Sequence, residues 1–251
     1  GHFERAEANL GTLPEADKDK VLYLMERGAV RQALHRYEES NRDWLEAVAL
    51  ERELETHSAS RATASMVVND RTLNYRGPPF ERTLLHSFLA KNYFALALWD
   101  DAAVEARNII AGQQLLEGFP DDAYSRYMAG FCMEMIGDEN GQAMQYGAAA
   151  SLVKDLTIDP VTGRLTPGTN AAVASIPAAL PAVNPRPAEL VCFVAMGQAP
   201  APDMPSVFQS SAPPYAEFFA NGVYLGRSYA LSSTAELSSA SLRRMAARKA
   251  T

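Results

Sequence analysis

The sequence predicts a mainly α-helical protein: tetratricopeptide-like antiparallel helix pairs forming a short superhelix, followed by a small strand-containing (α+β) C-terminal module. Three observations predict it. Four of the 15 prolines (Pro14, Pro78, Pro79, Pro120) precede residue 156 and eleven follow from Pro160 onward, and proline breaks helix interiors. Apolar residues recur at helical spacing throughout the first part. Beyond Thr157 that period gives way to turn residues, a β-rich apolar run and an Asn-Gly dipeptide. The expected division is 1–156, helical repeats, and 157–251, a Pro-rich connector plus strand module.

Each helix has its own signal. Val21, Leu22, Leu24, Met25, Ala29 and Leu34 give one apolar face over about 18–35. Tyr37 opens a second helix through Trp44, Leu45, Val48 and Leu54, which Gly77-Pro78-Pro79 stops at the latest. Phe80, Leu84, Leu85, Phe88, Leu89, Tyr93 and Phe94 mark a third. Asp100-Asp101 places acid at the start of a fourth, where the helix dipole favours it. Further helices are expected from Asp122 to Ile136 and from Gln142 to about Leu156, separated by Gly137-Asp138. In the last part, Glu189–Met196 reads as a strand closed by Gly197. Phe218–Leu225 reads as a hairpin turning at Asn221-Gly222, and Leu237–Ala250 as a basic amphipathic helix.

The pairs repeat. Gly28 is followed by Tyr37 and Trp44, Ala90 by Tyr93, Trp99 and Ala102, and Gly130 by Gly137-Asp138 and Ala143. Small residues in both helices suit two helices that cross closely. Gly28 to Ala90 spans 62 residues and Ala90 to Gly130 spans 40, against about 34 in the regular tetratricopeptide repeat. One pair therefore carries a long second helix or an inserted segment.

Charge narrows the function classes. Net charge is −7; residues 1–155 hold 25 acidic and 16 basic side chains, and residues 156–251 hold 5 and 7. An acidic helical half argues against a nucleic-acid partner, which calls for a basic surface. No apolar run is long enough to span a bilayer. The chain begins Gly1-His2-Phe3 without Met, so a processed N-terminus is expected. Cys132 lies in a helical pattern and Cys192 in the strand-like run. Two buried free thiols are the plain reading, and one disulfide between the halves is the alternative in an exported protein.

Longer stretches resemble a known family. Asn74-Tyr75-Arg76-Gly77-Pro78-Pro79-Phe80-Glu81-Arg82, leading into Lys91-Asn92-Tyr93 and Asp101–Arg107, is similar to the signature of uncharacterised bacterial envelope lipoproteins with tetratricopeptide-like repeats. So are Phe3–Leu10, Tyr23–Gly28, Tyr37–Ser40, Glu189–Val191 with Gly197–Pro200, and Arg243–Lys249. The resemblance covers nearly the whole chain. It implies a bacterial cell-envelope location, periplasmic or outer-membrane-anchored, and a precursor with a signal peptide and a lipid-bearing Cys upstream of residue 1.

Chemical signatures are sparse. There is no phosphate loop, nucleophile elbow, HExxH or CxxC. His2, His35, His57 and His86 are scattered without metal-ligand spacing. No cofactor or metal is expected, and Glu105 and Arg107 read as members of an ion-pair network. The string Tyr75, Arg76, Phe80, Glu81 and Arg82 has two readings: a helix stop and start with a locking charge cluster, or a recognition loop for a carboxylate. The remaining candidate is a groove lined by the first helix of each pair: Met25, Ala29 and Gln32; Ser87, Lys91 and Phe94; Tyr127, Phe131 and Glu134. Such a surface suits an extended peptide; the contrary reading is that its aromatics pack against the C-terminal module or an additional helix. The expected function is a non-catalytic protein-binding scaffold whose partner is another protein or peptide, including itself. Membrane association is expected only through an N-terminal lipid anchor. A self-associating or docking subunit of an envelope or surface assembly, and an envelope-polymer enzyme without a recognised motif, are the alternatives.

Overall fold

The computed structural model describes residues 2–10, 19–61, 78–116, 118–154, 156–167, 190–195 and 215–250. The protein is mainly α-helical with a small β content towards its C-terminus. Helix α1 (Phe3–Leu10) precedes three helix pairs: α2 (Lys20–Ala33) with α3 (Tyr37–Arg61), α4 (Pro79–Ala95) with α5 (Trp99–Gln114), and α6 (Ala123–Met135) with α7 (Glu139–Leu152). Hairpin β1 (Leu156–Ile158)/β2 (Leu165–Pro167), hairpin β3 (Glu217–Ala220)/β4 (Val223–Arg227) and helix α8 (Thr234–Ala250) follow. Helix α3, 25 residues long, is a long second helix, one of the two readings of the 62-residue spacing. Helix α1 is eight residues long with no buried residue, and no helix is expected there from the sequence. Glu7 holds it to the stack through Arg36 at 2.8 Å and Arg31 at 3.4 Å.

The three pairs turn in the same way. Seven residues after each small residue (Gly28, Ala90, Gly130) the backbone enters the left-handed region, at His35, Ala97 and Gly137. The next N–H then reaches back to the helix end: Arg36 to the Arg31 carbonyl, Leu98 to Tyr93 and Asp138 to Met133, each at 2.9 Å. This helix-ending motif favours glycine, and only the third pair supplies one. Ala97→Gly is therefore expected to raise stability by about 0.5–1 kcal/mol. A melting curve about 2–4 °C higher checks it.

Packing follows the same register. Sixteen residues after each small residue lies its partner on the second helix: Trp44 over Gly28, Ala106 beside Ala90, and Tyr146 over Gly130. Leu24, Trp44, Ala47 and Leu89 centre one core; Ala102, Ile109, Met128 and Cys132 centre the next. Arg27 and Arg31 both close on buried Asp43 at 2.7 Å, fixing α2 to α3.

Hairpin β1/β2 and helix α8 lie on this stack. Hairpin β1/β2 pairs Thr157 with Thr166 and covers the last pair. Ile158 packs with Tyr127, Tyr146 and Ala149, and the Tyr127 hydroxyl donates to the Gly163 carbonyl at 2.7 Å. Leu237 of α8 packs on Phe80 and Leu84. The β3/β4 hairpin turns at Asn221-Gly222 as expected. The apolar run expected as a strand over 189–196 is not one: its described part, Leu190–Ala195, is irregular and finds no neighbouring strand among the described residues. Cys192 is exposed rather than buried, and both cysteines are free thiols.

Candidate functional site

The first helices of the pairs, α2, α4 and α6, lie beside one another. Gln32 of α2 donates to the Phe88 carbonyl (3.1 Å) and to Asn92 Oδ1 (2.7 Å) on α4. The Ser87 hydroxyl of α4 lies 3.0 Å from that of Ser125 on α6. Helical spacing then brings Phe94 of α4 against Phe131 of α6, ring centroids 5.2 Å apart and edge to face. Tyr127 joins them one turn earlier, and Tyr124 one turn before that. These four rings form a cleft.

The cleft receives a side chain of the protein itself. Phe193 enters it from the irregular Leu190–Ala195 segment, with ring centroids 5.2 Å from Phe131, 6.2 Å from Tyr127, and 6.3 Å from both Phe94 and Tyr124. Such aromatic pairs contribute beyond their area, about 0.5–1.5 kcal/mol each at best. The rest of the segment is loosely held. Leu190 is 88% exposed, and Val191, Cys192 and Val194 are also exposed. Among the described residues its backbone makes no hydrogen bond. Beside it lies a cavity of about 290 Å³ lined by Tyr127, Phe131, Glu134, Met135, Tyr146 and Val191. Glu134 accepts the Tyr146 hydroxyl there at 2.7 Å.

The structure thus sorts the residues expected to line a groove. Phe94, Tyr127, Phe131 and Glu134 meet at the cleft. Gln32 and fully buried Ser87 join neighbouring helices instead. Met25 packs against the first core, and Ala29 is exposed. Lys91 is half-buried, its ammonium 5.6 Å from the Phe88 ring centre. Desolvation pushes its pKa below the usual lysine value. A lowered folded value means the charged form is disfavoured in the fold, a cost present at neutral pH and absent once lysine also deprotonates in the unfolded chain, near pH 10.4. Lys91→Met is accordingly expected to raise the melting temperature at pH 7, with the gap closing as the buffer is taken above about pH 10.

Of the candidate recognition loop, Tyr75 and Arg76 lie outside the described residues. Phe80 is buried against α8, and Arg82 pairs with Glu51 of α3 at 2.5 Å, so both lock elements together. Sequence reasoning missed Phe193 and Tyr124. It also missed the His86–Glu105 contact (2.6 Å), which joins α4 to α5, and the buried Asp122 carboxylate. Asp122 caps α6, accepting from the Tyr124 and Ser125 amides at 3.2 and 3.1 Å and from the Ser125 and Ser232 hydroxyls. A second cavity, about 530 Å³, lies between this cap and α8. Its acids are Asp121, closed on Arg126 at 2.8 Å, and exposed Glu236. Among the described residues no three His, Cys, Asp or Glu side chains are grouped to hold a metal, and no helix is long and apolar enough to cross a membrane.

Comparison with protein-family models, with curated proteins and with solved structures returned no match.

Proposed function

We propose that the chain is a non-catalytic protein-binding scaffold of the bacterial cell envelope, held to the membrane through an N-terminal lipid group and presenting its first-helix face to an extended peptide of another protein. The observation that carries this reading is the cleft of Phe94, Tyr124, Tyr127 and Phe131 with Phe193 inside it. A concave, aromatic-walled site between helices suits the apolar anchor of a docking peptide. The envelope location rests on the family resemblance of the sequence.

A photo-crosslinking residue in place of Met135, which lies at the cavity edge and is 40% exposed, tests this in envelope extracts. The expected product is a covalent adduct to a peptide of another protein, lost when Phe131→Ala is added. Adducts confined to the chain's own 190–195 segment, with or without extract, would sink the reading.

A second reading, a self-associating subunit, is favoured by the β3/β4 hairpin. Its Phe219, Val223 and Leu225 are each more than half exposed, and a two-stranded hairpin that meets no further strand among the described residues is a template for pairing. Sedimentation decides it. A dimer that forms with concentration and is lost with Leu225→Lys supports it, and a monomer at high concentration counts against it.

A further inference from the structure

Resting on the docking reading above, we propose that Leu190–Ala195 is an internal stand-in for the partner, a tethered plug whose Phe193 closes the cleft until an extended segment with an aromatic anchor of its own displaces it. The plug is held by that anchor alone. Phe193 meets the four rings, while Leu190, Val191, Cys192, Val194 and Ala195 all remain exposed. Its backbone makes no hydrogen bond among the described residues. A segment built into a core pairs its buried backbone, and an extended one buries alternate side chains. Leu190–Ala195 does neither.

The cleft, in contrast, does not depend on its occupant. Phe94 packs edge to face on Phe131, ring centroids 5.2 Å apart, and lies 5.6 Å from the Trp99 ring. The Tyr127 ring is 4.9 Å from that of Tyr146, and its hydroxyl donates to the Gly163 carbonyl. Tyr124 stands at the start of α6, where its amide donates to the Asp122 cap. Withdrawing Phe193 therefore leaves a walled opening rather than a collapsed core. The ring edges and faces that line it suit another aromatic ring, and an aliphatic side chain would forgo the edge-to-face contacts. The anchor of the displacing segment is accordingly Phe, Tyr or Trp.

Residues 168–189 and 196–214 tie the plug to hairpins β1/β2 and β3/β4 on either side. Linked segments reach effective concentrations of about 1 mM. With a dissociation constant on the order of 0.1 mM for a single-anchor segment, about ten clefts are closed for each one open. An outside ligand then binds about tenfold more weakly than it binds an open cleft.

The test uses the full chain, wild type and Phe193→Ala, with fluorescein-labelled peptides read by anisotropy. The first peptide spans Glu189–Met196 with Cys192→Ser; the second adds Phe193→Leu. The first is expected to bind Phe193→Ala protein about tenfold tighter than wild type, and the second about tenfold more weakly than the first. Cys192 is an exposed free thiol and Cys132 a buried one, so alkylation with bromotrifluoroacetone puts a fluorine label on the plug itself. As the first peptide saturates wild-type protein, the fluorine NMR signal should move to the position seen in labelled Phe193→Ala protein. The movement on wild type stands on its own if Phe193→Ala does not fold. Equal affinity of the two proteins, equal affinity of the two peptides, binding without movement of the fluorine signal, or no binding overturns the inference. So does a starting signal that changes with protein concentration, which would put the plug of one copy in the cleft of another. If any of these appears while the Met135 crosslinker still captures an outside peptide, the scaffold reading survives and the plug alone falls; if the crosslinker captures none, both fall.

Discussion

Gly28→Ala and Gly130→Ala should each destabilise the protein by about 3 kcal/mol in chemical denaturation. A Cβ at Gly28 would lie 2.2 Å from Trp44 Nε1, and one at Gly130 would lie 2.6 Å from Tyr146 Cδ1. Neither ring is free to step aside. Trp44 is 1% exposed and donates to the Met25 carbonyl at 3.0 Å, while Tyr146 is fully buried and tied to Glu134. Overpacking of a closed core costs about 1–3 kcal/mol, and displacing the Trp44 or Tyr146 ring also breaks its hydrogen bond to Met25 or Glu134, about 1–3 kcal/mol more. Alanine's higher helix propensity returns about 1 kcal/mol. Gly147 is the control: it is exposed on α7 with nothing within 4 Å of a built Cβ. Gly147→Ala should therefore stabilise by about 1 kcal/mol. Three equal effects would refute the close-crossing account of the helix pairs.

Asp122→Ala should cost about 3 kcal/mol and loosen α8 before the repeats unfold. The carboxylate ends α6, which is a normal cap, but it also holds Ser232, 110 residues further along the chain. The Ser232 oxygen in turn accepts the Tyr124 amide at 3.0 Å. Removing the acid leaves the buried Ser125 amide and hydroxyl without this acceptor and cuts the link to Ser232 ahead of α8. Hydrogen exchange should show the loss of protection first in 234–250. Burial outweighs these hydrogen bonds and pushes the carboxyl above the usual aspartate range. The folded state thus binds this proton more tightly than the unfolded one. The aspartate's contribution is full below its unfolded pKa and declines as pH rises through the folded value. The wild-type advantage over Asp122→Ala should consequently be larger in mild acid than at neutral pH.

The helices were legible because one amphipathic period governs each and because proline and glycine punctuate them. The segment expected over 18–35 is Lys20–Ala33, and the start expected at Phe80 falls at Pro79. Three of the turns shared a register that the sequence half concealed, since His35 and Ala97 stand where glycine is the normal signal. What was not legible depends on distant partners. A β-rich run becomes a strand only if another strand lies beside it, and Leu190–Ala195 meets aromatic rings instead. Cys192 is exposed for the same reason. At the site, repeat register was enough to place Phe94, Tyr127 and Phe131 together, because helical spacing fixes their face. It could not separate them from Gln32 and Ser87, which share that face but bond to Asn92 and Ser125 on neighbouring helices. Nor could it show that the groove is occupied by Phe193, a contact 62 residues from Phe131 in sequence.

The occupied cleft is the centre of the account, and a double-mutant cycle tests it most directly. Stability is measured for wild type, Phe131→Ala, Phe193→Ala and the double variant. A coupling of about 1 kcal/mol between the two rings is expected, as for other aromatic pairs in contact. Additive effects, with no coupling beyond error, would mean that Phe193 does not reside between these helices and would contradict it.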